Sequence, residues 1–157
     1  MSIVNQLKKQ GFPDGPANWL GPPGLGLRAG HLHEIVPAGI FHLGAAAGFA
    51  MGLAAQLRRP GALVWIQQDM AALEGGRPYG PGGVLFGCDP ARLLLVRTAT
   101  ARDALWAMEE SLRCPGVAAV IGELSGAGEA ADLTATRRLN LAMQAHATLG
   151  LLLRQQP

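Results

Sequence analysis

The sequence predicts an α/β domain with a mostly parallel sheet of about five strands flanked by helices. Three observations carry that expectation. Continuous apolar runs such as Ala62–Gln67 (ALVWIQ) and Leu93–Val96 have the pattern of strands buried on both faces. Thr100–Arg113 has a helical period, with apolar residues at 104, 105, 108 and 112. Strand-like and helix-like segments then alternate along the chain, which is how parallel strands are connected.

Residues 1–30 are expected to form a tail dense in turn formers (GFPDGP, GPPGLGLRAG), with Trp19 and Leu20 as apolar anchors. The domain proper is expected over 31–157 and opens with a strand at His31–Val36. From Ile35 to Leu57 no residue carries a formal charge, and Gly44, Gly48 and Gly52 repeat every fourth position. A membrane helix can show the same stripe, but Pro37, His42 and Gln56 interrupt this run, and Gly and Ala dominate it. It reads as a buried helix whose small face lies close against a sheet, with no membrane contact. Pro60-Gly61 ends it, and Ala62–Gln67 is the second strand. Residues 68–90 (containing EGGRPYGPGG) read as a long connection with little regular structure. Leu93–Val96 is the third strand, and the Thr100–Arg113 helix is stopped by Pro115-Gly116. Val117–Ile121 is the fourth strand, Gly122–Asp132 a loop, Thr134–Ala147 the last helix and Leu149–Leu153 the fifth strand.

Composition narrows the chemistry. Of 157 residues, 49% are apolar and 15% charged, enough apolar surface for one core and too little charge for disorder. Aromatic residues are only 5%, so Ala, Leu, Val and Ile must build that core. The lysines are Lys8 and Lys9, which leaves the remainder with equal numbers of arginines and acids. The pI of 8.8 therefore comes from the tail. A neutral body predicts weak or no autonomous DNA binding. It also excludes any mechanism needing a lysine in the body, including lysine-dependent phosphate transfer and Schiff-base chemistry. Cys88 and Cys114 show no metal-ligand spacing and the N-terminus has no apolar signal region, so reduced thiols in a cytoplasmic protein are expected.

Further residues suggest sites. His31 and His33 face one side of a strand, and His42 would make a third zinc ligand, but no fourth is near in sequence; solvated histidines are the expectation. Gly24, Gly26 and Gly30 precede the first strand, the wrong side for a dinucleotide fingerprint. Glu109-Glu110 falls on the polar face of its helix. Arg137-Arg138 stands early in the last helix, where cations oppose the helix dipole and local stability does not favour them.

The order of segments resembles the ImuA family, a RecA-like component of the bacterial damage-inducible mutagenesis cassette. The resemblance covers about residues 25–155. It rests on Leu32-His33-Glu34-Ile35, Leu63-Val64-Trp65-Ile66, Gly87–Leu94, Leu105–Arg113, Ala119–Glu123 and Leu133–Ala142. It implies a RecA-like fold without a functional P-loop. The phosphate-loop stretch falls on Pro37–Gly44, where leucine replaces the Walker A lysine and glycine the Mg²⁺-binding hydroxyl. Asp69, Glu123 and Gln155 fall on the remaining ATPase positions as residual groups. The implied role is a non-catalytic adaptor in the SOS response that supports error-prone translesion synthesis, with no catalytic residue, cofactor or metal. Implied partners are an ImuB-like inactive Y-family polymerase relative, an error-prone C-family polymerase reached indirectly, RecA, and a second copy of the chain. Arg137, Arg138, Glu109 and Glu110 are the expected partner-binding residues. The alternative is a SulA-like cell-division inhibitor binding the tubulin-like division protein. Family members continue beyond a fifth strand, so a C-terminal segment is expected to be missing here.

Overall fold

The computed structural model describes residues 19–20, 27–57, 59–126 and 131–155. Most of the expected tail, and the side chains of its anchors Trp19 and Leu20, lie outside the described residues. Within that region, β1 (Trp19–Leu20) and β2 (Leu27–Arg28) pair antiparallel.

The domain sheet contains β3 (Leu32–Ile35), β4 (Ala62–Gln68), β5 (Leu93–Thr98), β6 (Val117–Ser125) and β7 (Leu149–Gln155). Its spatial order is β3-β7-β6-β4-β5, and all neighbours are parallel. The α/β class and the five parallel strands are those the sequence predicts. Helices are α1 (Leu43–Ala55), α2 (Asp69–Gly75), α3 (Gly80–Leu85), α4 (Ala101–Leu112) and α5 (Leu133–Met143).

Two apolar cores sandwich the sheet. On one face Ala46, Ala50, Leu53 and Ala54 of α1 pack on Trp65, Ile121 and Leu151. On the other, Met108 and Leu112 of α4 and Leu139 and Met143 of α5 pack on Ile66, Val120 and Leu152. The strands face both cores, which is why they read as unbroken apolar runs. Helix starts are chemically marked. The Thr100 hydroxyl accepts from the Asp103 N–H at 3.1 Å, and Asp132 accepts from the Ala135 N–H at 2.7 Å.

Several expectations are corrected. Residues 68–90 hold two short helices, α2 and α3; Ala71 and Gly83 bury against the body, an order that the glycines and prolines mask. β6 runs on to Ser125 instead of stopping at Ile121, because parallel neighbours on both sides continue its ladder. The last helix ends at Met143, short of Ala147, which takes a positive φ of 50° in the turn to β7. The uncharged run is helical only over Leu43–Ala55, after a 3₁₀ turn at Ile40–His42. Its glycine stripe does not meet the sheet. A Cβ on Gly48 would lie 3.0 Å from the Phe86 ring, and one on Gly52 3.6 Å, so the small face seats Phe86. Among the described residues, no helix is long and apolar enough to cross a membrane.

Candidate functional site

In α/β sheets, ligand sites form at the carboxyl ends of the strands. Here β3 leads into Pro37–Gly44, which contains no lysine, serine or threonine. The segment turns through Ile40–His42 and leaves Phe41 97% exposed. This donor set does not fit a nucleoside triphosphate with magnesium. It lacks a lysine or arginine and a side-chain hydroxyl, and presents an aromatic ring to solvent.

Nor do the residual acids converge. Asp69 starts α2 and is paired with Arg97 of β5 at the surface. Glu123 of β6 is instead 5% exposed, and its Oε2 accepts from Trp65 Nε1 at 3.1 Å and Gln67 Nε2 at 2.8 Å. Gln67 Nε2 also donates to the Gly76 carbonyl at 2.7 Å, while its buried Oε1 has no hydrogen-bond partner among the described residues. The side chain of Gln155 lies outside the described residues. Among the described residues, no group of three or more His, Cys, Asp or Glu is placed to hold a metal ion. His31 and His33 lie with ring centroids 6.5 Å apart, and His33 Nε2 bonds the Arg28 backbone.

Burial pushes the Glu123 carboxyl up from its ordinary value, and the Trp65 and Gln67 hydrogen bonds offset part of that rise. An acid whose pKa is raised by folding contributes stability below its unfolded pKa and loses it as pH climbs through the raised value. Glu123→Gln keeps a carbonyl acceptor but cannot ionise. Its melting temperature relative to the parent should therefore improve as pH rises from the ordinary glutamate range towards neutrality. Parallel melting curves check this; a constant difference across pH would refute it.

The four expected partner residues share one side of the molecule, on the adjacent helices α4 and α5, but not in the arrangement expected. Glu109 is not on a solvated face. It is 5% exposed, because the packing of α5 on α4 covers it. Arg113 and Arg138 both pair with it, so Arg138 ties α5 to α4. Glu110 is exposed and pairs with Arg113 at 3.2 Å. Arg137 is exposed, with no ion pair among the described residues. Beside this triad runs a groove of about 750 Å³ lined by Arg102, Trp106, Glu109, Asp132, Arg138 and Leu139, among others. Trp106 is 63% exposed there. The sequence contained its signal: position 106 lies off the 104–105–108–112 apolar stripe, so a tryptophan there faces outward.

Cys88 and Cys114 are free thiols, buried and exposed respectively. Burial raises the pKa of Cys88, against a smaller lowering by Arg92.

This is a parallel α/β sandwich of the SulA type. The crystal structure of SulA from Pseudomonas aeruginosa superposes with a TM-score of 0.60, covering 80% of this chain and 98% of SulA at 19% identity. No protein-family model matches the chain. In sequence it is 38% identical over 139 residues to the ImuA proteins of two Caulobacter vibrioides strains, NA1000 / CB15N and ATCC 19089 / CIP 103742 / CB 15. Across that stretch, 86% of its length, the chain is related in sequence to these ImuA proteins. It spans about half the length of these relatives, 53%.

Proposed function

We propose that this chain is a non-catalytic, cytoplasmic adaptor of the DNA-damage response that supports error-prone translesion synthesis through protein contacts. The relationship to ImuA is the observation that carries this reading. The chemistry of Pro37–Gly44 agrees with it, since no lysine or arginine is there to neutralise a triphosphate. ATP turnover by the pure protein above buffer background, abolished by Glu123→Ala, would overturn it. The partners proposed are an ImuB-like inactive Y-family polymerase relative and, through it, an error-prone C-family polymerase, with RecA as a further contact. The neutral body supports weak DNA binding at most.

We place the docking surface on the α4–α5 groove, where an exposed tryptophan beside arginines has the make-up of an interface hot spot. Trp106→Ala should weaken binding to the ImuB-like partner by about 2 kcal/mol, roughly 30-fold, without lowering the melting temperature. Arg137→Ala should likewise leave melting unchanged, since that side chain is solvated. Arg138→Ala should cost about 1–2 kcal/mol of stability, because the buried Glu109 carboxylate loses one of its two cations. Affinity titrations beside melting curves separate these effects. Full partner affinity in Trp106→Ala would remove the groove from the proposal.

The second reading is a SulA-like cell-division inhibitor, favoured by a superposition that covers nearly all of SulA. Co-purification with the tubulin-like division protein, and not with the ImuB-like protein, would establish it over the first.

A further inference from the structure

The two edges of the sheet are built differently. β3 is four residues long and carries His33 and Glu34, and Glu34 pairs with Arg154 of β7 at 3.4 Å. Short length and charge protect an edge from pairing with another strand. β5 is less protected. It is six residues long, reads Leu93-Leu94-Leu95-Val96-Arg97-Thr98, and among the described residues pairs only with β4. Its outer backbone N–H and C=O groups therefore have no strand beside them among the described residues. Leu94 is 56% and Leu95 38% exposed. Arg97, its one charged residue, is already engaged by Asp69.

We propose that β5 is a homodimer interface, pairing antiparallel with β5 of a second copy to join two sheets into one. The choice of occupant follows from self-complementarity. Residues directly opposite in an antiparallel pair share a face, so a two-fold normal to the sheet must pass through a residue and not between two. Leu93 packs in the α1-side core and Val96 in the α4-side core, which assigns Leu93, Leu95 and Arg97 to one face and Leu94, Val96 and Thr98 to the other. An axis between Leu95 and its copy pairs Leu93 through Arg97. It sets Leu95 against its own copy, Leu94 against Val96, and Arg97 against Leu93. No like charges oppose one another. In the same register, the end of the second strand at Thr98 comes beside Arg92. A groove of about 610 Å³, lined by Pro60, Gly61, Ala91, Arg92, Leu93 and Leu94, opens at this place. The two α4 helices then lie on one face of a continuous sheet, leaving both docking grooves available.

Sedimentation equilibrium of the full chain tests this directly. The parent should be dimeric at micromolar concentration. Leu95→Lys, which places two ammonium groups face to face and removes two buried leucines, should weaken self-association by about 100-fold or more. Leu133→Lys, at an equally apolar but remote and more exposed position, should not. Because a lysine in β5 risks misfolding, a second test uses crosslinking. In a Cys114→Ser background, Leu95→Cys should be captured as a covalent dimer by a short bis-maleimide, and Leu85→Cys should not. A parent that stays monomeric up to 100-fold higher concentration would overturn the proposal. So would a dimer that Leu95→Lys leaves intact, or one that the Leu95→Cys variant fails to trap.

Discussion

Trp65→Ala is expected to lower the unfolding free energy by about 4 kcal/mol, the middle of the range for emptying a large aromatic site. Trp65 is 1% exposed and heads the largest fully buried side chains of the α1-side core. It sits on the central part of β4, between β5 and β6, so little backbone can collapse into the space it leaves. A second loss adds to the cavity. Among the described residues Trp65 Nε1 is one of two donors to the buried Glu123 carboxylate, and its removal leaves the Gln67 hydrogen bond. Trp65→Phe separates the two terms: it keeps most of the ring but not the N–H, and should cost about half as much. Chemical denaturation of the three proteins checks the order. Equal losses for phenylalanine and alanine would mean that the hydrogen bond, not the volume, dominates.

Gly122→Val should cost about 3 kcal/mol or more, at the upper end of what overpacking does to a core. Gly122 lies mid-β6, where a Cβ would stand 2.1 Å from Met108 Sδ and 2.8 Å from its Cε. Its φ is not positive, so glycine is needed there for space and not for conformation. Met108 belongs to α4 and is fully buried, so either its side chain takes another rotamer in a filled core or the helix that carries Trp106 and Glu109 shifts. A smaller side chain at 108 should relieve the clash. Gly122→Val with Met108→Ala should therefore be more stable than the sum of the single changes, by about 1–3 kcal/mol of coupling. Additive losses would show that α4 does not rest on β6 through this contact.

The sheet was legible because strands buried on both faces need no alternation. ALVWIQ, LLLV, VAAVI and LGLLL announce themselves as apolar blocks between turn formers. α4 was legible for the complementary reason, one apolar stripe with Pro-Gly behind it. Residues 68–90 were not. α2 and α3 are seven and six residues long, too short to show a period, and Gly and Pro dominate their local signal. The Gly44–Gly48–Gly52 stripe was visible, but not its occupant. Phe86 is 38 positions from Gly48, and only the path of α3 brings it there.

The relationship to ImuA, the absence of lysine, serine and threonine from Pro37–Gly44 and the neutrality of the body were all present in the sequence, because each depends on which residues exist. What Glu109, Arg138 and Glu123 do depends on their neighbours. A glutamate on a polar helix face becomes a buried anchor once α5 lies across it and supplies Arg138 from 29 positions away. An acid at a strand end becomes a covered carboxylate once Trp65 and Gln67 of the next strand reach it. The exposed edge of β5 belongs to the same class, since the sequence of a strand does not say whether a neighbour lies on each side. Local pattern records solvation averaged over a helix turn or a strand repeat. Pairings between distant segments are decided when the chain closes on itself, and so the tertiary structure alone assigned them.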